Sequence, residues 1–205
     1  MAKHKYKYKV EIEPGVKKRR MIIKEIIIWI VEIAIVISAA YYISFFWLEK
    51  TSVVGTSMST TLTAGDTVLI DKFTYMISEP KRFDVIVFKQ SNKEHNYYDI
   101  KRIIGLPTET VRIDEAGDIY INDNKIDDIV IAEPMTNGGL AAAGITLDEG
   151  EYFVIGDNRN YSEDSRFANV GNVLKSDIIG KAFIKLDPFT LINEVNIKKD
   201  DDKER

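Results

Sequence analysis

Residues 26–48 read IIIWIVEIAIVISAAYYISFFWL, 23 residues in which Glu32 is the one charge. At about 1.5 Å per residue, a helix of this length spans roughly 35 Å, enough to cross a hydrocarbon core with some tilt. Trp29 near one end and Tyr41, Tyr42 and Trp47 near the other resemble interfacial aromatic belts. Glu32 is costly inside such a span unless it is protonated, paired or snorkelling. The first twenty residues carry eight cations, Lys3, Lys5, Lys7, Lys9, Lys17, Lys18, Arg19 and Arg20, against Glu11 and Glu13. Basic flanks stay in the cytoplasm, so the body of the chain is expected to face outward, at the cell membrane, behind a single pass. A cleaved leader is the competing reading, because Ser38-Ala39-Ala40 offers small residues after a shorter apolar stretch. The run continues through Phe45-Phe46-Trp47-Leu48, which suits a retained anchor better.

The chain of 205 residues leaves room, after one span, for a single domain of roughly 150 residues. The expected organisation is a basic cytoplasmic tail over 1–25, an anchor over 26–48, an outward-facing domain over 49–190 and a charged tail over 191–205. The net charge of −4 argues against a nucleic-acid partner and leaves membrane lipids as the partner of the basic arm. Absence of cysteine excludes a disulfide framework and a Cys-ligated metal, and no metal or other cofactor is expected.

Beyond the anchor, short runs rich in β-branched and aromatic residues predict strands at 67–70, 84–88, 98–104, 109–113, 119–121 and 152–155. Turn chemistry separates them at Ala64-Gly65-Asp66, Leu106-Pro107, 114–118 and Asn122-Asp123-Asn124. With no amphipathic helices between them, the expectation is an all-β domain, a mainly antiparallel coiled or barrel-like sheet, preceded by one transmembrane helix. Residues 136–144 (TNGGLAAAG) are expected to form a flexible surface loop, and 198–205 a solvated run of mixed charge.

Ser57-Met58 stands nine residues beyond the apolar run, and Lys101 follows 44 residues after the serine. A serine hydroxyl is a weak nucleophile until a neighbouring base takes its proton. Histidine is scarce, only His4 and His95, and His95 reads as an exposed loop residue in the polar connection 89–96. A lysine is the remaining base. Free lysine has a pKa near 10.4, so roughly one in 2,500 would be neutral at pH 7. Burial among apolar groups favours the neutral form, and Ile100, Met58 and Leu62 supply such a wrapper.

Four segments then stand in order: GTSMSTTL (55–62) with GDTVLIDK (65–72), RFDVIVF (82–88), YDIKRIIGLP (98–107) and GDNRNYSEDSR (156–166). After an anchor, this order resembles the bacterial type I signal peptidases, particularly the short single-anchor forms of Gram-positive bacteria. The resemblance implies a membrane-anchored serine endopeptidase that removes signal peptides from exported preproteins, with the secretion translocon as a neighbour. It makes Ser57 the nucleophile, Lys101 the base and Ser162 the hydroxyl that orients the lysine. Asp157, Arg159, Asp164 and Arg166 become a salt-bridged scaffold, with Asp164–Arg166 the first pair to expect. Substrate is implied to add to the strand edges at Val53-Val54 and Asp99-Ile100. Val53, Met58, Leu62 and Ile100 would then line shallow pockets for small residues at −1 and −3.

The chain departs from the family pattern in three places. Gly55 stands where some members place a second oxyanion-stabilising hydroxyl. Thr60 replaces a proline, and Thr108-Glu109 replaces Gly-Asp after Gly-Leu-Pro. Two rival readings remain open: another serine–lysine protease such as the self-cleaving repressors, and an inactive relative assisting assembly of surface proteins or pilins. Self-cleavage near Ser38-Ala39-Ala40 is a further expectation left open.

Overall fold

A computed structural model of the chain describes residues 14–90, 98–128, 130 and 133–192. The expected basic arm up to residue 13, the His95 loop from 91 to 97 and the charged run 193–205 lie outside the described residues. The chain divides into two compact units, 1–46 and 47–205.

The first unit is carried by helix α1, Pro14–Trp47. Proline suits a helix start because it lacks an N–H that would find no partner there. The stretch Lys18–Trp47 is long and apolar enough to cross a membrane, and its large side chains from Met21 to Phe46 are exposed. A soluble chain would bury such a surface; here it faces outward along the helix.

The second unit is mostly antiparallel β-sheet. Its strands are β1 (Leu48–Ser52), β2 (Thr67–Asp71), β3 (Val85–Lys89), β4 (Tyr98–Gly105), β5 (Thr110–Ile113) and β6 (Ile119–Ile121). They continue with β7 (Asn124–Lys125), β8 (Ile145–Thr146), β9 (Glu151–Ile155), β10 (Val173–Leu174), β11 (Ile178–Leu186) and β12 (Phe189–Leu191). The larger sheet runs β1-β2-β11-β3-β4-β9-β10, with β12 paired to β11; the smaller runs β7-β6-β5-β8. A short α-helix, α2 (Thr74–Ile77), follows β2.

Strand β3 shows why the larger sheet sits at the centre. Val85 and Val87 join Val53, Met58, Leu62, Val68, Ile70 and Ile100 in one core. Ile86 and Phe88 join Ile103, Tyr152 and Val154 in another. Successive side chains of a strand point to opposite faces, so an unbroken apolar run such as VIVF is buried on both sides. A third core joins the smaller sheet to the far ends of β4 and β9 through Ile104, Val111, Ile113, Phe153 and Ile155.

The structure departs from the sequence reading at several elements. Strand β11 has no counterpart among the predicted strands, although it pairs with β2, β3 and β12. Trp47, read as an interfacial aromatic, stacks on Phe73 with ring centroids 4.3 Å apart, and Leu48 opens β1. Leu191 and Ile192, expected in the charged tail, belong to the domain; Ile192 is buried and its N–H donates to Phe183 O. The small-residue segment 136–144 lies mostly at the surface, as expected, but it holds a 3-10 turn at Gly139–Ala142 with Ala141 fully buried. Its glycines are small because backbone approaches closely; a Cβ on Gly139 (φ +54°) would lie 2.3 Å from Arg166 O. The turn at 122–124 forms as expected, with Asn122 and Asp123 both at positive φ in a two-residue hairpin between β6 and β7.

Candidate active site

Ser57 begins a tight turn after β1. The N–H groups of Thr61 and Leu62 both donate to Met58 O, and Ser59 N–H donates to Thr56 O. Met58 and Leu62 reach down into the core that also holds Val53 and Ile100. The apolar pair thus anchors the loop from below while the serine stays half-buried at its crest. Asn158 stitches the loop from outside. Its backbone N–H donates to Ser57 O at 2.9 Å, and its Nδ2 donates to Thr56 O at 3.0 Å and to Ser59 Oγ at 2.9 Å.

Lys101 comes from β4, opposite Ile86 of β3. Its side chain is 4% exposed, and its Nζ lies 3.0 Å from Ser57 Oγ in a hydrogen bond. Asp99 Oδ1 is 3.9 Å from the same nitrogen, on a side chain that is partly exposed. With lysine protonated, Nζ donates along this line. With lysine neutral, its lone pair lies on the path of the serine proton, the arrangement a general base requires.

The other expected residues are drawn to the same place. Gly156 closes in so tightly that a Cβ there would lie 2.2 Å from Ser162 Oγ and 2.5 Å from Ser57 O. Ser162 therefore sits directly behind Ser57. Its Oγ is buried and has no hydrogen-bond partner, so the expected bond to Lys101 is not made in this arrangement. Asp164 and Arg166 pair bidentately, Nε to Oδ1 and Nη2 to Oδ2, both at 2.8 Å. Arg166 also donates to Asn137 O and Arg159 O, and Asp164 Oδ2 accepts from Gly156 N–H at 3.1 Å. This pair ties the 137–140 segment to the strand end behind the serine.

Asp157 and Arg159 do not pair with each other. Asp157 pairs with Arg102, Nε to Oδ1 at 2.8 Å and Nη2 to Oδ2 at 2.6 Å, and accepts Thr61 Oγ1 at 2.5 Å. Arg102 follows Lys101 on β4, and its Nη1 donates to Phe83 O at 2.8 Å. One buried ion pair therefore joins the lysine strand, the serine loop and the 156–166 segment. Sequence reasoning missed Arg102, and the signal was there: an arginine in a strand this apolar needs a buried acid. Arg159 instead binds Asp128, Nη2 to Oδ2 at 2.7 Å. Burial pulls its guanidinium below the usual arginine range, and neighbouring Arg102 and Arg166 add to this against Asp128 and Asp157.

Thr108 and Glu109 close a turn after β4, with Glu109 N–H donating to Leu106 O at 3.2 Å. Thr108 takes φ +68°, a glycine-like conformation. Glu109 Oε2 accepts Leu106 N–H at 2.7 Å while Oε1 pairs with Arg82 at 2.5 Å. No group of three or more His, Asp or Glu suited to a metal occurs among the described residues.

The chain that carries this serine loop and lysine strand matches a known family along most of its length. The family model for signal peptidase, peptidase S26, matches residues 26–186. The chain belongs to this family. A signal peptidase I of Bacillus licheniformis is 32% identical over 175 residues, covering 82% of this chain and 92% of that protein. One from Bacillus caldolyticus is 34% identical over 174 residues, covering 78% and 89%. A Synechocystis sp. protein designated "Probable signal peptidase I-2" is 34% identical over 147 residues, covering 70% of this chain and 65% of its own length. The matched region takes in β1 to β11 and the apolar end of α1, so both halves of the serine–lysine contact lie inside the S26 domain.

Proposed function

We propose that the chain is a membrane-held serine endopeptidase of the signal peptidase I type, with Ser57 as nucleophile and Lys101 as its base. The observation that carries this reading is the 3.0 Å contact between Ser57 Oγ and a lysine nitrogen on a side chain only 4% exposed. Burial strips water from the ammonium and so works against the protonated form. Neutral Lys101 takes the Ser57 proton as Oγ attacks the carbonyl of the residue before the cut. The oxyanion is met by the Ser57 backbone N–H. Collapse breaks the C–N bond, and the leaving amine takes the proton from Lys101. Water then gives a proton to the same nitrogen and attacks the acyl-enzyme, and Ser57 regains its proton as the signal peptide acid departs. The orphan hydroxyl of Ser162 is suited to swing onto Lys101 Nζ once the lysine moves with substrate. Asp157, Arg159, Asp164 and Arg166 hold the frame.

Substrate binding follows from the sheet. Residues 98–101 of β4 pair with β3 on one side, whereas pairing with β9 starts only at Arg102. The free side of Asp99-Ile100, with exposed Val54 across the loop, offers an edge for an extended peptide. Val53, Met58, Leu62 and Ile100 then form the floor under small side chains at −1 and −3. In this reading the N-terminus is cytoplasmic, as the basic arm favours, and the peptidase works outside on preproteins presented by the lipid and the translocon.

The test is mass-spectrometric mapping of the cut in a preprotein with an Ala-X-Ala site, using the detergent-solubilised full chain. A single cut after the second alanine, lost when either alanine is replaced by Leu or Trp, supports the reading. Cleavage indifferent to those positions contradicts it.

A further inference from the structure

Asp99 and Lys101 are two residues apart on β4, so their side chains leave the same face of the sheet. Asp99 Oδ1 stands 3.9 Å from Lys101 Nζ, on the part of β4 that β9 does not pair. Across β3 the same face holds Phe88, opposite Asp99, and Ile86, opposite Lys101. Both are buried and apolar, so the acid and the amine are flanked by side chains that screen little. Asp99 keeps 30% of its side chain exposed, against 4% for Lys101.

Other charges on the elements packed around Lys101 are engaged elsewhere. On β11, Lys181 stands opposite Ile86 and donates to Asp84 Oδ1 at 2.5 Å. In the 156–166 segment, Asp157 pairs with Arg102, Asp164 with Arg166 and Arg159 with Asp128. The serine loop brings the Ser57 hydroxyl, and the Ser162 hydroxyl lies behind it. Lys89 and Tyr98, opposite one another, leave the other face of β3 and β4. Asp99 is the acid that faces the amine. Burial and charge then act on Lys101 in opposite directions: burial favours the neutral amine, and an anion within about 4–6 Å favours the ammonium.

We propose that Asp99 is a positioning residue of the peptidase, whose carboxylate holds Lys101 as the ammonium in the free enzyme. The lysine must then give a proton to water before it can take one from Ser57. The inference rests on the peptidase reading above and adds to it a residue that acts through the lysine. The pH at which cleavage turns on is set by two side chains of β4, not by the burial of Lys101 alone.

The experiment measures kcat/KM against pH for one Ala-X-Ala peptide, using the solubilised full chain as wild type, Asp99→Asn and Asp123→Asn. The acid limb of that profile reports the base of the free enzyme. Asp99→Asn keeps the size of the side chain and removes its charge. Its limb is expected about one pH unit below that of wild type, the low end of what an opposite charge at this range produces, because Asp99 is partly exposed. Below both limbs its kcat/KM then exceeds wild type about tenfold, a gain that a merely damaged strand edge does not give. Asp123, exposed in the turn between β6 and β7, controls for net charge. A limb in Asp99→Asn that coincides with wild type or lies above it would overturn the role of Asp99 and leave the peptidase reading intact. So would an equal displacement in Asp123→Asn, or loss of all cleavage in folded Asp99→Asn. Folded wild type that cleaves at no pH would overturn both.

Discussion

At the residue scale, the account rests on what each buried polar atom does. Ser162 Oγ is buried without a partner, so removing it breaks no hydrogen bond. Ser162→Ala is expected to leave stability within about 0.5 kcal/mol of wild type, yet to lower kcat/KM about tenfold or more if the hydroxyl serves the lysine during turnover. Urea unfolding and peptide kinetics on the same preparation decide this; unchanged kinetics would reduce Ser162 to a filler. Asp157 is the opposite case. Asp157→Ala would strand Arg102, buried with its other nitrogen on Phe83 O, and should cost about 3–5 kcal/mol in urea unfolding. Much of this site was legible from the chain because its chemistry is carried by residue types with few alternatives: one serine in a Ser-Met step and one lysine inside an apolar strand. Who pairs with whom was not legible. Asp157 and Arg159 lie two apart and invite a local pair. The fold sends them to Arg102 and Asp128, 55 and 31 positions away.

At the element scale, strands with unbroken apolar runs announced themselves, and β2, β3, β4, β5, β6 and β9 lie where β-branched runs predict them. Strand β11 (IIGKAFIKL) did not. It carries a glycine and two lysines, and its register shifts at two of its three pairings, against β3 between Ile178 and Gly180 and against β2 between Ala182 and Ile184. Such irregularities break the simple alternation that reveals a strand. Gly180 is needed there, since a Cβ would lie 2.5 Å from Asp71 O. The turn after β4 shows the reverse, a departure from the family pattern that the fold absorbs. Thr108 is β-branched and held at φ +68°, a conformation costing roughly 1–2 kcal/mol for such a residue. Thr108→Gly is therefore expected to stabilise the domain by about 1 kcal/mol, net of glycine's greater freedom when unfolded. A rise in the thermal midpoint with unchanged kcat/KM would show it; a fall would mean that the threonine makes a compensating contact.

At the scale of the whole molecule, a β-domain of signal peptidase type follows a helix long and apolar enough to span a membrane. The stability of this domain depends on pH, and Asp66 gives that dependence a sign. Burial alone would raise its carboxyl, but the hydrogen bonds from Lys185 and from Thr63 outweigh it, leaving it below the ordinary aspartate value. A lowered folded-state pKa contributes stability above the unfolded value near 3.8 and loses it as pH falls through the folded value. Asp66→Asn should therefore lower the urea midpoint at pH 7 and narrow its gap from wild type as pH drops below about 3.8. A gap that stays constant with pH would mean that Lys185 does not act through the charge.

The most direct measurement is processing of an Ala-X-Ala preprotein by the solubilised full chain, comparing wild type with Ser57→Ala and Lys101→Ala. The expected result is cleavage by wild type and none by either variant, with all three sharing one circular dichroism spectrum and wild-type activity falling at acid pH as Lys101 protonates. Cleavage persisting in folded Lys101→Ala, or absent from folded wild type, would contradict the serine–lysine account.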